Sequence, residues 1–217
     1  MGLFENKIKQ FPKIFDWVER QDVSRLSNFL LDNERCNRLF VASGGSFSAA
    51  VYAEQLSADK GIMSHALTPL LYAGSGFAHV AARTLLISAS GYNNDILRAY
   101  DNGCRAKEQE VGTVVLSSKG RLQTLMQEND ANNLFGFDIP TGRDGFLSST
   151  TVLAFYTLLY RAFGHAELSS VSTDISAKEQ EEINGFVNRL KRISLDELTE
   201  HEAFLHKLEG VDSFFVL

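Results

Sequence analysis

The stretch Leu39–Leu56, LFVASGGSFSAAVYAEQL, changes character twice. An apolar run comes first, then Ser-Gly-Gly-Ser, then an alanine-rich segment. The run LFVAS reads as a buried strand, and Ser46 onward reads as a helix. The junction places unpaired backbone N–H groups and a partial positive charge just behind the glycines. Ser46 is either the N-cap, worth about 1 kcal/mol to the helix, or a hydroxyl turned to a ligand. Gly44 and Gly45 make either a tight turn or room for close backbone approach.

The same grammar recurs along the chain. ARTLLISAS (82–90), GTVVLSS (112–118) and NNLFGFDIP (132–140) read as further strands, the last stopped by Pro140. MSHALTPLLYAG (63–74) holds a short strand limited by Pro69. Helical patterns separate them: NNDILRAYDNGCRAKEQE (93–110), with Ile96, Leu97 and Tyr100 on one face, and RLQTLMQEND (121–130). Leu3–Leu31 reads as helical, interrupted near Pro12, with Asp22 or Ser24 as cap of a second helix. FLSSTTVLAFYTLLYRAFG (146–164) is a strongly apolar helix, expected to end at Gly164. Alternating strands and helices give an α/β fold: a doubly wound, parallel, five-stranded sheet with helices on both faces, a three-layer αβα arrangement. We expect the flavodoxin-like strand order 2-1-3-4-5, whose switch point lies between the first and third strands.

Those two strands end in Ser43-Gly44-Gly45-Ser46 and in Ser88-Ala89-Ser90-Gly91-Tyr92-Asn93. In that topology the two loops face each other, each backed by a helix start, an arrangement that attracts anions. Neither loop contains Lys or Arg. The Gly-Lys-Ser/Thr ending of a nucleotide phosphate loop is absent, and SGGSFS lacks the GxGxxG dinucleotide fingerprint. A small phosphate monoester fits better than a nucleotide. The candidate binding residues are Gly44, Gly45, Ser46, Ser88, Ser90, Gly91 and Asn93.

The 217-residue chain carries a net charge of -6, with 44% hydrophobic and 22% charged residues. Its sequence pI is about 5.4. Without a basic run, nucleic acid is not the expected partner. No apolar run is long enough to span a bilayer, so no membrane partner is expected. The opening MGLFENKIKQ is too polar for a signal peptide, and Asn6 stands where myristoylation wants Ser or Thr. Cys36 and Cys104 form no CxxC pair and read as free thiols in a reducing compartment. A cytoplasmic location is expected. His201 and His206 lie on a charged segment without further ligands, so neither a metal nor another cofactor is expected.

The paired loops resemble the SIS (sugar isomerase) family. That family runs a strand into a Gly-x-Ser loop and another into Ser-x-Ser-Gly-x-Thr, with an Asp two residues on. VASGGSFSAA and LLISASGYNNDI are similar to these, with Asp95 as the acidic residue. GRDGFLSSTTVLAFYTLLYRAF (142–163) is similar to a third feature, a glycine-led Ser/Thr stretch opening an apolar helix, often preceded by Glu. Asp144 stands near that acidic position. The resemblance spans roughly Asn37–Gly164. It implies that Ser46, Ser88 and Ser90 hold the phosphate of a sugar phosphate or amino-sugar phosphate. Asn93 replaces the usual Thr and can still donate. Tyr92 replaces a frequent Glu, which leaves the substrate open.

FLLDNERCNRLFV (29–41) lines up without gaps on FLHKLEGVDSFFV (204–216). The expected organisation is a helical extension over 1–35, an SIS domain over 36–170, and a helical linker with the first strand of a truncated second SIS domain over 171–217. The resemblance implies a sugar-phosphate isomerase or an amino-sugar or fructosamine phosphate deglycase, with much of its acid–base chemistry outside this chain. The chain alone is then expected to be inactive. Glu54, Asp95, Asp144, His79 and His165 are the ionisable candidates near the motifs, but none forms a readable dyad, so the catalytic residues are unknown. Two alternatives stand: a non-catalytic phosphosugar-sensing regulatory domain, and a scaffold whose loops bind nothing. The apolar excess of 146–163 points to a homodimer interface or to contact with a second half.

Overall fold

The computed structural model describes residues 10–32, 36–74, 82–106, 110–128, 133–141 and 149–170. One compact unit spans Met1–Ser170 and a second Val171–Leu217. The proposed linker and strand of the second unit lie outside the described residues. The described elements are, in chain order, α1 (Phe11–Glu19), α2 (Ser24–Leu31), β1 (Asn37–Ala42), a 3-10 turn (Gly44–Ser46), α3 (Phe47–Asp59), β2 (Ser64–Leu67), α4 (Pro69–Gly74), β3 (Ala82–Ser88), α5 (Asn94–Arg105), β4 (Glu110–Val115), α6 (Arg121–Glu128), β5 (Leu134–Gly136) and α7 (Ser149–Ser170).

The five strands form one parallel sheet in the order β2-β1-β3-β4-β5. Successive side chains leave a strand on opposite faces, and both faces are apolar because helices cover both. Phe40, Ala42, Leu85, Ile87 and Val114 pack beneath α1, α2, α3 and α7. Leu39, Val41, Leu86 and Val115 pack beneath α4, α5 and α6, against Tyr72, Ile96, Tyr100, Leu122 and Met126. The three layers and the strand order are those expected from the sequence.

Three local expectations are corrected. Pro12 does not interrupt a helix: it sits in the first turn of α1, where its missing N–H costs nothing. Gly164 does not end α7, which runs on to Ser170; a mid-helix glycine costs only about 1 kcal/mol, and a well-packed helix absorbs that. Residues 11–31 are not a separate extension. Ile14, Val18, Leu26 and Leu30 are buried in the same core as the sheet. They also account for much of the apolar excess of α7: Ala154, Phe155, Leu158, Leu159, Ala162 and Phe163 are all buried within that cluster.

Two arginines lock α2 to the sheet. Arg38 and Arg83 occupy paired positions on β1 and β3. Arg38 is 1% exposed, and it donates from Nε to Leu30 O at 2.8 Å, from one terminal nitrogen to Asp32 O at 2.7 Å and from the other to Cys36 O. Arg83 donates to Phe29 O at 3.1 Å and Asp32 O at 2.6 Å, and pairs with Glu110 at 2.5 Å. The last carbonyls of a helix have no partner within it and carry its negative dipole end. Two guanidinium groups supply what those carbonyls lack. Burial, followed by the nearby Arg83 charge, pulls the Arg38 pKa below its ordinary value. The group stays ionised at neutral pH, as a guanidinium does in proteins. Phe29 adds a packing contact: a Cβ on Gly112 of β4 would sit 2.8 Å from its ring. Replacing Arg38 with Leu strands buried carbonyls and is expected to cost about 3 kcal/mol, or roughly 6–12 °C in Tm for a unit of this size. Thermal melts of Arg38→Leu beside the wild type measure this.

Candidate functional site

The switch point between β1 and β3 opens into a cavity of about 530 Å³. Topology creates it: the chain leaves β1 into α3 on one face of the sheet and leaves β3 into α5 on the other. Ser46, Ser88, Ser90 and Asn93 all line this cavity, as do Gly45 and Ser43. Gly44 and Gly91 do not line it; they shape the loops that do.

On the β1 side, Gly44 takes φ +56°, a left-handed conformation that glycine adopts without strain. This turns the chain into the 3-10 turn that starts α3. No side chain caps either the turn or the helix, and Ser46 makes no capping hydrogen bond. The capping alternative for Ser46 is therefore not the one the structure takes. Its half-buried hydroxyl faces the cavity beside amides of the turn that no side chain satisfies.

On the β3 side, the hydroxyls first build the loop. Ser88, 4% exposed, accepts from the Gly91 amide at 3.2 Å. Ser90 accepts from the Tyr92 amide at 3.3 Å. Each serine retains an O–H to donate. Asn93 caps α5: its Oδ1 accepts from Asp95 N at 2.9 Å and Ile96 N at 3.2 Å. Its Nδ2 donates across the switch point to Ser43 Oγ at 3.0 Å. The two loops are thus joined by one side chain, and the amide keeps a second N–H.

The loop after β4 completes the wall. Gln123, buried in α6, donates from Nε2 to Ser117 O. Its Oε1 lies where a Cβ on Gly91 would stand, 2.3 Å away, and where one on Gly120 would stand, 2.1 Å away. Both glycines are therefore required by one glutamine. Tyr92 reaches over to Lys119 O, Leu116 N donates to Ala89 O at 3.2 Å, and Leu122 N to Gly91 O at 2.9 Å. The loops after β3 and β4 form one braced piece.

Sequence reasoning missed Ser117, Asp138 and Thr151 as cavity residues. Asp138 follows β5, and its Oδ1 accepts from Ser118 N at 2.6 Å. Thr151 lies in the first turn of α7, the Ser/Thr-rich start already visible as FLSSTT. For Asp138 the signal was its place just past a strand's C-terminal end, the edge where doubly wound sheets bind ligands.

The ionisable candidates divide differently. Asp95 is exposed in the first turn of α5, where a carboxylate complements the helix dipole, and does not line the cavity. Glu54 lies two turns into α3 and faces His65, with Nδ1 and Oε1 3.8 Å apart, outside the cavity. His79, Asp144, His201, His206 and the His165 side chain lie outside the described residues. Among the described residues no cluster of three or more potential metal ligands occurs, and Cys36 and Cys104 are free thiols.

No protein-family model and no curated protein sequence matches the chain. Solved structures do. A tagatose-6-phosphate ketose/aldose isomerase from Escherichia coli superposes with a TM-score of 0.60 at 18% identity, over 75% of this chain and 47% of that one. An Escherichia coli CFT073 protein in complex with a sugar phosphate matches with a TM-score of 0.55 at 16% identity, over 77% and 94%. The Vibrio vulnificus NanR protein complexed with ManNAc-6P matches with a TM-score of 0.60 at 12% identity, over 89% and 71%. The chain spans about half the length of the tagatose-6-phosphate isomerase. At these identities the likeness establishes a shared fold.

Gly91→Ala tests the bracing. Gly91 has φ +68° and no space for a methyl group beside Gln123. The substitution is expected to cost about 2–3 kcal/mol, whereas Gly74→Ala, which meets open space, is expected to leave stability nearly unchanged. Urea denaturation of the two variants, compared by midpoint at constant slope, measures the difference.

Proposed function

We propose that this chain is a phosphosugar-binding domain, and that it belongs to a sugar-phosphate isomerase or to a deglycase of amino-sugar or fructosamine phosphates. The observation that carries the reading is the convergence of Ser46, Ser88, Ser90 and Asn93 on one cavity beside an uncapped helix start. Solved neighbours of the same fold include an isomerase of tagatose 6-phosphate and two proteins holding sugar phosphates, one of them ManNAc-6P, which supports it.

In this reading the hydroxyls of Ser46, Ser88 and Ser90, the spare N–H of Asn93 and the amides around Gly44, Gly45 and Ser46 donate to the phosphoryl oxygens. Gly91 acts indirectly, by letting the β3 loop close on Gln123. The groups are uncharged, so affinity comes from several short hydrogen bonds and a helix dipole. Aldose–ketose isomerisation also needs a base near the carbon beside the carbonyl and an acid for the oxygens. Among the described residues lining the cavity, only Asp138 is charged. We therefore assign this chain the binding role and place most of the acid–base chemistry beyond it, so that the chain alone is inactive.

A phosphosugar sensor without catalysis is the second reading, favoured by that same shortage of acid–base groups and by the NanR likeness. We take the protein to be cytoplasmic and homodimeric. No described helix is long and apolar enough to cross a membrane, and Leu70, Leu71 and Met63 are exposed.

Isothermal titration of the full chain with glucose 6-phosphate, fructose 6-phosphate and glucosamine 6-phosphate tests the function. At least one is expected to bind, and Ser46→Ala combined with Ser90→Ala is expected to weaken it by ten-fold or more, about 1.4 kcal/mol or above. No binding to any phosphosugar by the folded protein would leave the scaffold reading standing. Light scattering on a sizing column tests the dimer, with an expected mass twice the 24.1 kDa of the chain.

A further inference from the structure

The cavity has two chemically different ends. One is the uncharged hydroxyl and amide end at β1 and β3. The other lies past β4 and β5, where Asp138 and Ser117 line the wall. After β5 the chain stays beside the β4 exit, because Phe137 N donates to Val115 O at 2.9 Å and Ile139 N to Leu116 O at 3.3 Å. Asp138 is carried between these two bonds onto the sheet's C-terminal edge. Its Oδ1 is held by the Ser118 amide at 2.6 Å, which fixes the carboxylate and leaves Oδ2 to a ligand. No Lys, Arg or His is among the described residues lining the cavity.

From the middle of the β1–β3 gap to the β4–β5 crest is about two strand spacings, roughly 10 Å. That is about the span of a six-carbon sugar phosphate from its phosphorus to the far end of its chain. A ligand held by its phosphate at the switch point would bring its far carbons to Asp138. A carboxylate there repels a purely anionic ligand and attracts one that carries its own cation.

Resting on the phosphosugar reading above, we propose that Asp138 makes the cavity selective for phosphosugars bearing a protonated amine. Two sources share that chemistry: an amino sugar phosphate, and the phosphorylated adduct of a sugar with an amine. The phosphate end holds every phosphosugar alike, and Asp138 discriminates among them. Asn at this position keeps an oxygen for the Ser118 amide, so Asp138→Asn removes the charge while preserving the loop.

The test is calorimetric titration of the full chain and of Asp138→Asn with glucose 6-phosphate, glucosamine 6-phosphate and fructosamine 6-phosphate, with thermal melts to verify folding. The wild type is expected to bind one or both amines at least about five-fold tighter than glucose 6-phosphate, and the tighter amine identifies the source. In Asp138→Asn the preference is expected to vanish through weaker amine binding, with glucose 6-phosphate bound as well as before or better. Equal binding of amine and neutral sugar by the wild type overturns the selectivity and leaves the phosphosugar site intact. A preference that survives in Asp138→Asn removes Asp138 from the role. Binding of none of the three by the folded protein overturns the phosphosugar reading and this inference with it.

Discussion

The bond from Asn93 Nδ2 to Ser43 Oγ sets the geometry of everything at the switch point. A doubly wound sheet separates its chain at this place: α3 and α5 depart to opposite faces, so the loops after β1 and β3 tend to open apart. One side chain ties them together. The same amide, through Oδ1, satisfies two amides of α5 that would otherwise point unpaired toward the crevice. Capping and bridging are thus one constraint. The orientation that lets Oδ1 cap the helix also sends Nδ2 toward Ser43, so the separation of the loops is inherited from the helix start. A Thr here could cap or bridge with its single hydroxyl, but it could not donate two N–H groups while accepting two.

The β1 side is treated in the opposite way. The α3 start has no side-chain cap at all, although Ser46 and Ser43 both have the chemistry to provide one. Uncapped N–H groups cost stability unless water or a ligand meets them. The asymmetry between a fully capped α5 and an open 3-10 turn therefore points the cavity's donor capacity to one side. Gly44 permits it, because its left-handed backbone lifts the turn away from the geometry in which Ser43 would close on α3.

Much of this was legible in the sequence, and the legible part has one character: it depends on neighbours in the chain. Apolar runs such as LLIS and VVLS announce strands buried on both faces, and their alternation with helices fixes the layer order through the handedness of crossovers. Serines and glycines at strand ends announce loops. What stayed hidden depends on partners far away. Arg38 and Arg83 look like ordinary strand-end charges, because their acceptors are main-chain carbonyls of α2, which carry no sequence signal. Gln123 reads as one polar residue of a short amphipathic helix, yet it dictates glycine at Gly91 and Gly120, the former 32 positions earlier. The apolar excess of α7 was visible, but what covers much of it, Ile14, Val18, Leu26 and Leu30, looked from sequence like a detachable extension.

These hidden contacts bear on how the two ends of the cavity differ. The β1–β3 end is built from backbone direction: turns, a helix start and small hydroxyls, all placed by local conformation. Such an end recognises a phosphoryl group by shape and donor number and is indifferent to what the group is attached to. The β4–β5 crest is built from a ladder that persists past the regular strand and from one carboxylate pinned by the Ser118 amide. Its chemistry is a single charge, and a single charge can be changed without disturbing the phosphoryl end. A fold organised in this way can keep one anchoring device while varying the crest, and the identity of the ligand is then written where the sequence is least conspicuous.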